Sequence, residues 1–347
     1  MLLEGLLLPL TTPFYPDGRL NLRKLEHNAD RYSKTPVAGL VVLSEQGEPT
    51  MLSEEETRQA LRSAIDSAAI EKVMVAGVSR DSVVETLGLV EFAAKTGYDA
   101  VLVRQPSFLR GSTKTKELLT YFRAVADRAG VPVVLYSPNA SLSQDVVVEL
   151  GGHPQIVGLV DGGGAERIQG LKAGTAGVKR EVTVTPVFAA VTGRMLAQRE
   201  FAGAGTFIAA NTLSDGGAAL AVAPPKPAIK TRSKVVGFQI LSSNTSGMLD
   251  GLQAGAVGVM PGFAASAPQA CYEVLAAWKD GDFGLAQEKQ ARLQAAVERV
   301  EVALGIPGIK FGCDLNGYFG GRPRLPLLPP TGEERGEVET LMRGLRN

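Results

Sequence analysis

Residues 153–164 read HPQIVGLVDGGG. Ile156 to Val160 is a short apolar run closed by Asp161 and three glycines, the pattern of a buried parallel strand that empties into a loop. In an α/β barrel the C-terminal end of such a strand is where reactive side chains are mounted. Val160 takes that place, and an aliphatic side chain cannot attack, donate or accept.

Working outward, five earlier runs have the same character: Gly5–Thr11, Val37–Leu43, Val73–Val78, Ala100–Val103 and Val131–Tyr136. Helical spacing or helix-start signals lie between them, over Leu20 to Tyr32, from a capping box at Ser53 and Glu56, from Asp81 to about Lys95, over Thr113 to Arg128, and over Asp145–Gly151. Two later strand-like runs, Val235–Leu241 and Ala256–Met260, flank a helix near Met248–Ala254. Eight strands alternating with helices predict a closed (β/α)8 TIM barrel. An open doubly wound sheet is the rival, but no GxGxxG follows the first strand to support it.

Two regions exceed a minimal barrel. An insert at about 173–233 separates strands six and seven by more than one helix needs. Within it, Arg180–Phe188 alternates as a strand would, and Ala218–Lys230 is rich in Ala and Pro. An added lid or interface element and an excursion without a role both fit this insert. After the barrel, residues 1–280 with the insert included, comes a helical C-terminal region, 281–347. It holds an amphipathic helix over Phe283–Leu304, a Gly/Pro-rich segment and a terminal helix near Glu333–Leu345.

The 347 residues carry no net charge and are 45% hydrophobic, enough for a sizeable core. Balanced charge gives no electrostatic reason to expect nucleic acid or a membrane surface as partner. Cys271 and Cys313 stand far apart without metal-ligand spacing and read as free thiols of a reducing cytoplasm. His27 and His153 are too few for a His-rich metal site. The apolar start, MLLEGLLLPLTTPF, lacks the marks of a signal segment, and no apolar run approaches the roughly 18–20 residues that span a bilayer. A cytoplasmic protein without metal or other cofactor is expected.

Several motifs then converge. They are TTPF at 11–14, Gly47-Glu48, Leu52-Ser53 with Glu56, AGV at 76–78, and PVVLYS at 132–137. GAVG at 255–258, GIPGIK at 305–310 and GYFGG at 317–321 complete the ordered set. With these the chain resembles the pyruvate-dependent aldolases and lyases related to dihydrodipicolinate synthase and N-acetylneuraminate lyase, and within that group most looks like 4-hydroxy-2-oxoglutarate aldolase. The resemblance spans 1–170 and 235–325. It implies a homo-oligomer, tetramer or dimer, acting on a small 2-oxo acid or related carboxylate. A strand-six lysine of that family forms an iminium with the ketone, and the iminium serves as electron sink for making or breaking a carbon–carbon bond.

Carried over residue by residue, the implied site is altered. Tyr136 matches the proton-relay tyrosine, and Thr12 lies in the first-strand motif. The loop that receives the substrate carboxylate corresponds to Ser44, Glu45, Gln46, Gly47 and Glu48, with Glu45 in place of a small hydroxyl residue. Two like charges at that spot repel by several kcal/mol unless one is protonated or a cation intervenes. Phe108 replaces a tyrosine, Ser141 an arginine, and Val160 the lysine. Lys172, Lys179, Lys226, Lys230 and Lys234 are the candidates for a relocated amine. Arg180, Arg194 and Arg199 are candidates for a new anion clamp, and the amides of Gly162–Gly164 for an anion site or a plain turn. Two readings follow: a lyase of this family, or a barrel that keeps the scaffold without iminium chemistry. The second would be a binding or regulatory relative, or an enzyme using Glu45, Glu48 and Tyr136 as acid–base groups.

Overall fold

Alternation along the strands sets the inside and outside of the barrel. Leu7, Val41, Val73, Val75, Ala100, Leu102, Val134, Tyr136, Val160 and Leu241 form one buried cluster that fills the interior. Their strand neighbours, including Leu6, Leu8, Leu40, Met74, Val101, Val103, Leu135 and Ile240, belong to the larger cluster shared with the helices. A strand apolar on both faces is the signature of a parallel sheet covered by helices.

The computed structural model describes residues 1–111, 114–197 and 229–345. Its closed parallel barrel is built from β1 (Gly5–Pro9), β2 (Gly39–Val42), β3 (Val73–Gly77), β4 (Ala100–Arg104), β5 (Val133–Ser137), β6 (Ile156–Asp161), β9 (Gln239–Ser242) and β10 (Gly258–Val259). The predicted (β/α)8 architecture is therefore the observed one. Helices at Leu22–Ser33, Glu54–Ser67, Val83–Thr96, Thr115–Ala126 and Gln144–Gly151 follow the first five strands. Helices at Ala165–Gly174, Met248–Gln253 and Pro268–Lys279 follow the last three. The capping box at Ser53 and Glu56 is formed in both directions.

The seventh strand differs from expectation. Val235–Leu241 is divided at Gly237 and Phe238: β8 (Arg232–Val236) pairs antiparallel with β7 (Arg180–Val184), and the barrel strand is Gln239–Ser242. Burial explains the division. Arg232, Ser233 and Val235 are exposed, whereas every residue of Gln239–Ser242 is buried. A continuous strand would have had to be half wet and half enclosed.

Connectivity places the insert. Helix Ala165–Gly174 returns the chain to the N-terminal face of the barrel before the insert begins. The β7–β8 hairpin accordingly covers that face. Leu2, Val182, Val184 and Val236 form a small buried cluster there, and Lys234 pairs with Glu4. Arg180 donates to the carbonyls of Gly151, His153 and Ile156 at 2.8, 2.8 and 2.9 Å. Arg194 donates to the carbonyls of Ile65, Ala68, Ala69 and Lys72 at the end of helix Glu54–Ser67. Both arginines thus satisfy orphan helix and loop carbonyls and stand far from the opposite end, where the strands terminate. The described part of the insert is a floor, not a lid. Of the expected features within it, residues 198–228, with Arg199 and Lys226, lie outside the described residues, as does Thr113.

In the C-terminal region the helix Phe283–Ala296 continues as π-helical turns over Val297–Ala303. The segment read as Gly/Pro-rich holds a further helix, Ile306–Leu315, with proline in its first turn, where the missing N–H costs nothing. Gly332–Met342 closes the chain.

Replacing Arg194 by alanine leaves four carbonyls without a charged donor and is expected to lower unfolding stability by about 3 kcal/mol. Urea denaturation measures this, and a change below about 0.5 kcal/mol, the size of a neutral surface substitution, would refute the capping role.

Candidate functional site

The strands end together at a cavity of about 660 Å³. Register brings one layer of side chains to its base, because Arg104 is paired with Tyr136, Tyr136 with Val160 and Val160 with Leu241. Arg104 and Tyr136 are two steps from the interior residues Leu102 and Val134, and Val160 and Leu241 are themselves interior. Val160 is 1% exposed and packed among hydrocarbon and the Tyr136 ring.

The wall on the β2 side is the loop 43–48, bracketed by two non-glycine residues with left-handed backbone, Leu43 (φ 61°) and Glu48 (φ 53°). Such conformations cost of order 1–3 kcal/mol and persist where surroundings impose them. Gly77 is one imposed condition, since a Cβ there would lie 2.0 Å from the Leu43 carbonyl oxygen. Thr12 Oγ1 donates to the Gly47 carbonyl at 2.6 Å, and Ser44 Oγ donates to Gln46 Oε1 at 3.0 Å. Thr12, Ser44 and Gly47 hold the loop's shape; Glu45 and Gln46 line the cavity.

Glu48 turns away from that role. Its carboxylate receives the buried Lys310 ammonium at 2.5 Å and the Arg324 backbone amide at 2.9 Å. Lys310 also donates to the Arg322 carbonyl and lies over the Phe14 ring. Burial holds the Lys310 amine below its ordinary pKa, against the raising effect of Glu48. Arg324 completes the node by gripping Glu56 through two nitrogens at 2.6 and 2.8 Å.

The opposite wall belongs to the C-terminal region. Val297, Glu301, Val302, Gly305, Ile306 and Ile309 all face the cavity. Glu301 sits in the π-helical turns, which re-aim side chains relative to an α-helix. Its carboxylate accepts from the Phe263 amide at 3.2 Å. Burial raises its pKa, while hydrogen bonds from Thr245, Phe263 and Gly262 favour its ionised form. Burial also raises Glu45, opposed by the positive charges of Arg104 and Arg110. Tyr136 is pushed well above the usual phenol value by burial and then by the Glu45 charge.

Other sequence candidates lie elsewhere. Phe108 is 70% exposed, on a short turn whose Ser107 amide donates to Asp81 at 2.7 Å, and does not line the cavity. Asp161 is committed to Arg167 and the Gly163 amide. Gly162 is required because a Cβ would lie 1.4 Å from the Pro138 carbonyl oxygen, so the glycine run is a packed turn. Lys172, Lys179 and Lys230 are exposed, and Lys234 is paired at the floor. Among the described residues no lysine lines the mouth. Sequence reading missed Arg104 and Glu301. The first was legible from period 2, two steps beyond Leu102; the second depended on helical turns that no periodicity announces.

An eight-stranded parallel barrel with titratable groups gathered at the C-terminal ends of its strands defines a ligand-binding or catalytic α/β barrel. The sequence matches the model of the dihydrodipicolinate synthetase family over residues 2–194 and 227–344, and the chain belongs to that family. It is 26% identical over 346 residues to a 4-hydroxy-tetrahydrodipicolinate synthase of Acidiphilium cryptum, covering 99% of this chain and 98% of the relative. It is 28% identical over 342 residues to a protein of Emericella nidulans named as a probable mitochondrial 4-hydroxy-2-oxoglutarate aldolase, covering 96% and 92%. The fold matches that of dihydrodipicolinate synthase from Bacillus anthracis with a TM-score of 0.76 at 20% identity, covering 99% of each chain. It also matches the Acinetobacter baumannii enzyme, solved complexed with pyruvate, with a TM-score of 0.76 at 20% identity, covering 99% and 100%.

Two predictions follow from the Glu48 node. Glu48→Gln strands the Lys310 ammonium and should lower stability by about 3–5 kcal/mol, whereas Glu48→Gln with Lys310→Met should recover much of it. Equal losses in single and double variants, by urea denaturation, would count against a buried pair. Second, Arg324 holds the Glu56 carboxyl at about 2, down from 4.5. That contribution, on the order of 2–3 kcal/mol, is full above the unfolded-state value and is lost as pH falls toward the folded one. Glu56→Gln should therefore flatten the stability curve between those two pH values.

Proposed function

We propose that this chain binds a small 2-oxo acid or related carboxylate at the mouth of its barrel but does not form an iminium with it. The observation that carries the reading is the layer Arg104–Tyr136–Val160. The strand-six position from which the family's lysine would attack holds a buried valine, and among the described residues no amine lines the cavity. An exposed lysine is a poor substitute. A nucleophilic amine must be desolvated or set beside another cation to shed its proton.

What remains is suited to proton transfer. Glu45 and Glu301, both raised by burial, flank a phenol that is itself raised. A carboxyl with a pKa moved toward neutrality exchanges protons with a substrate more effectively than an ordinary one. Glu48 is withdrawn from that set by Lys310. Any reaction here is accordingly acid–base chemistry on a bound carboxylate, with Glu45 and Tyr136 nearest the ligand; a binding role without turnover is the limiting case. A cytoplasmic homo-oligomer, tetramer or dimer, belongs to the same reading.

Incubation of the protein with pyruvate and borohydride, followed by intact-mass measurement, tests this. No stable mass gain is expected. A gain of one reduced pyruvate adduct would overturn the reading and direct the search to the modified lysine.

A further inference from the structure

We infer that Arg104 is the ligand's carboxylate anchor, moved from the β2 loop to the end of β4, and that it makes the mouth selective for monocarboxylates over dicarboxylates. This rests on the proposed reading that a small carboxylate binds at the mouth.

Four observations support it. Arg104 points inward by strand alternation, in the same layer as Tyr136 and Val160. It is half-buried, and its guanidinium has no ion-pair or hydrogen-bond partner among the described residues; only its backbone amide is engaged, donating to Ser79 Oγ at 2.9 Å. A guanidinium that lines a cavity with its paired donors unclaimed by protein matches a planar carboxylate, which satisfies both. Arg104 is also the cation among the described residues that line the cavity. Finally, it supplies the positive charge that Glu45 demands, its field acting on Glu45 without a direct bond. A carboxylate bound at Arg104 therefore meets Glu45 across an intervening cation rather than bare.

The charge balance sets the selectivity. Glu48 is neutralised by Lys310. Glu45, beside Arg104, and Glu301, in the C-terminal wall, are the other charged groups of the lining that lack such a partner. One cation can receive one anionic group; a second carboxylate on the same ligand must lie toward Glu301 with no cation to meet it. On that far wall the Phe263 amide already serves Glu301.

Titration calorimetry at neutral pH with pyruvate and with 2-oxoglutarate, on the full chain, tests both parts. Pyruvate should bind the unaltered protein at least tenfold more tightly than 2-oxoglutarate. Arg104→Met should weaken pyruvate at least tenfold, and Glu301→Gln should narrow the gap between the two ligands. A pyruvate affinity unchanged in Arg104→Met, equal binding of the two acids, or no binding of either would overturn the inference. Phenylglyoxal modification of Arg104 in the unaltered protein, mapped by peptide mass, keeps the test independent of how the variant folds: pyruvate should slow it, and an unchanged rate counts against the anchor. Loss of affinity in Arg104→Met together with a borohydride-trapped adduct would uphold the anchor while sinking the no-iminium reading, so the two fail separately.

Discussion

The mouth of this barrel depends on one buried ion pair, Lys310 with Glu48. Both side chains are fully enclosed, and each would be strongly unfavourable alone. A pair of this kind adds little net stability over an apolar one; its effect is on register, because only one seating of the C-terminal region on the β2 loop brings both charges together. That seating holds Glu48 in a left-handed conformation, fixes the short helical turn Glu45–Gly47, and carries Arg324 onto Glu56. The same contact sets the helix Ile306–Leu315 and the π-helical turns before it across the cavity. Residues beyond 280 are thus part of the site rather than an attachment to it.

The altered positions form a consistent set. Val160 contributes hydrocarbon to an interior already filled by Leu102, Val134 and Leu241. The conflict read from Glu45 as a carboxylate in a carboxylate's place is answered by Arg104 on the adjacent wall. Tyr136 is raised first by burial and then by the Glu45 charge, against the lowering effect of Arg104. On the proposed reading, weak acids gathered around one cation would do the work of a nucleophile.

Much of this was legible in the residues. Apolar runs of five or six, separated by capped helices, specify a parallel sheet covered on both faces; their number, eight, points to closure, and the capping box at Ser53 and Glu56 marks one boundary to the residue. The division of Val235–Leu241 was not legible: Val235 and Leu241 are equally apolar, and only the location of the floor leaves the first exposed. The place of the insert could have been deduced, since a segment that follows the helix after β6 must leave from the N-terminal face. Arg104 was legible from the period-2 alternation that carries Leu102 inward, but its charge was read as the end of the strand. Glu301 was hidden by π-helical turns, which leave no trace in a 3.6-residue pattern.

The hairpin β7–β8 closes the lower end of the barrel, and above it the interior is solid hydrocarbon up to the level of Tyr136 and Val160. The site is therefore a blind cup. Ligand reaches it across the upper rim, formed by the loop 43–51, the segments 138–139 and 243–246, and the turns around Gly305. Two of those rim elements are joined by the Lys310–Glu48 contact, so the entrance and the buried ion pair are one piece of structure.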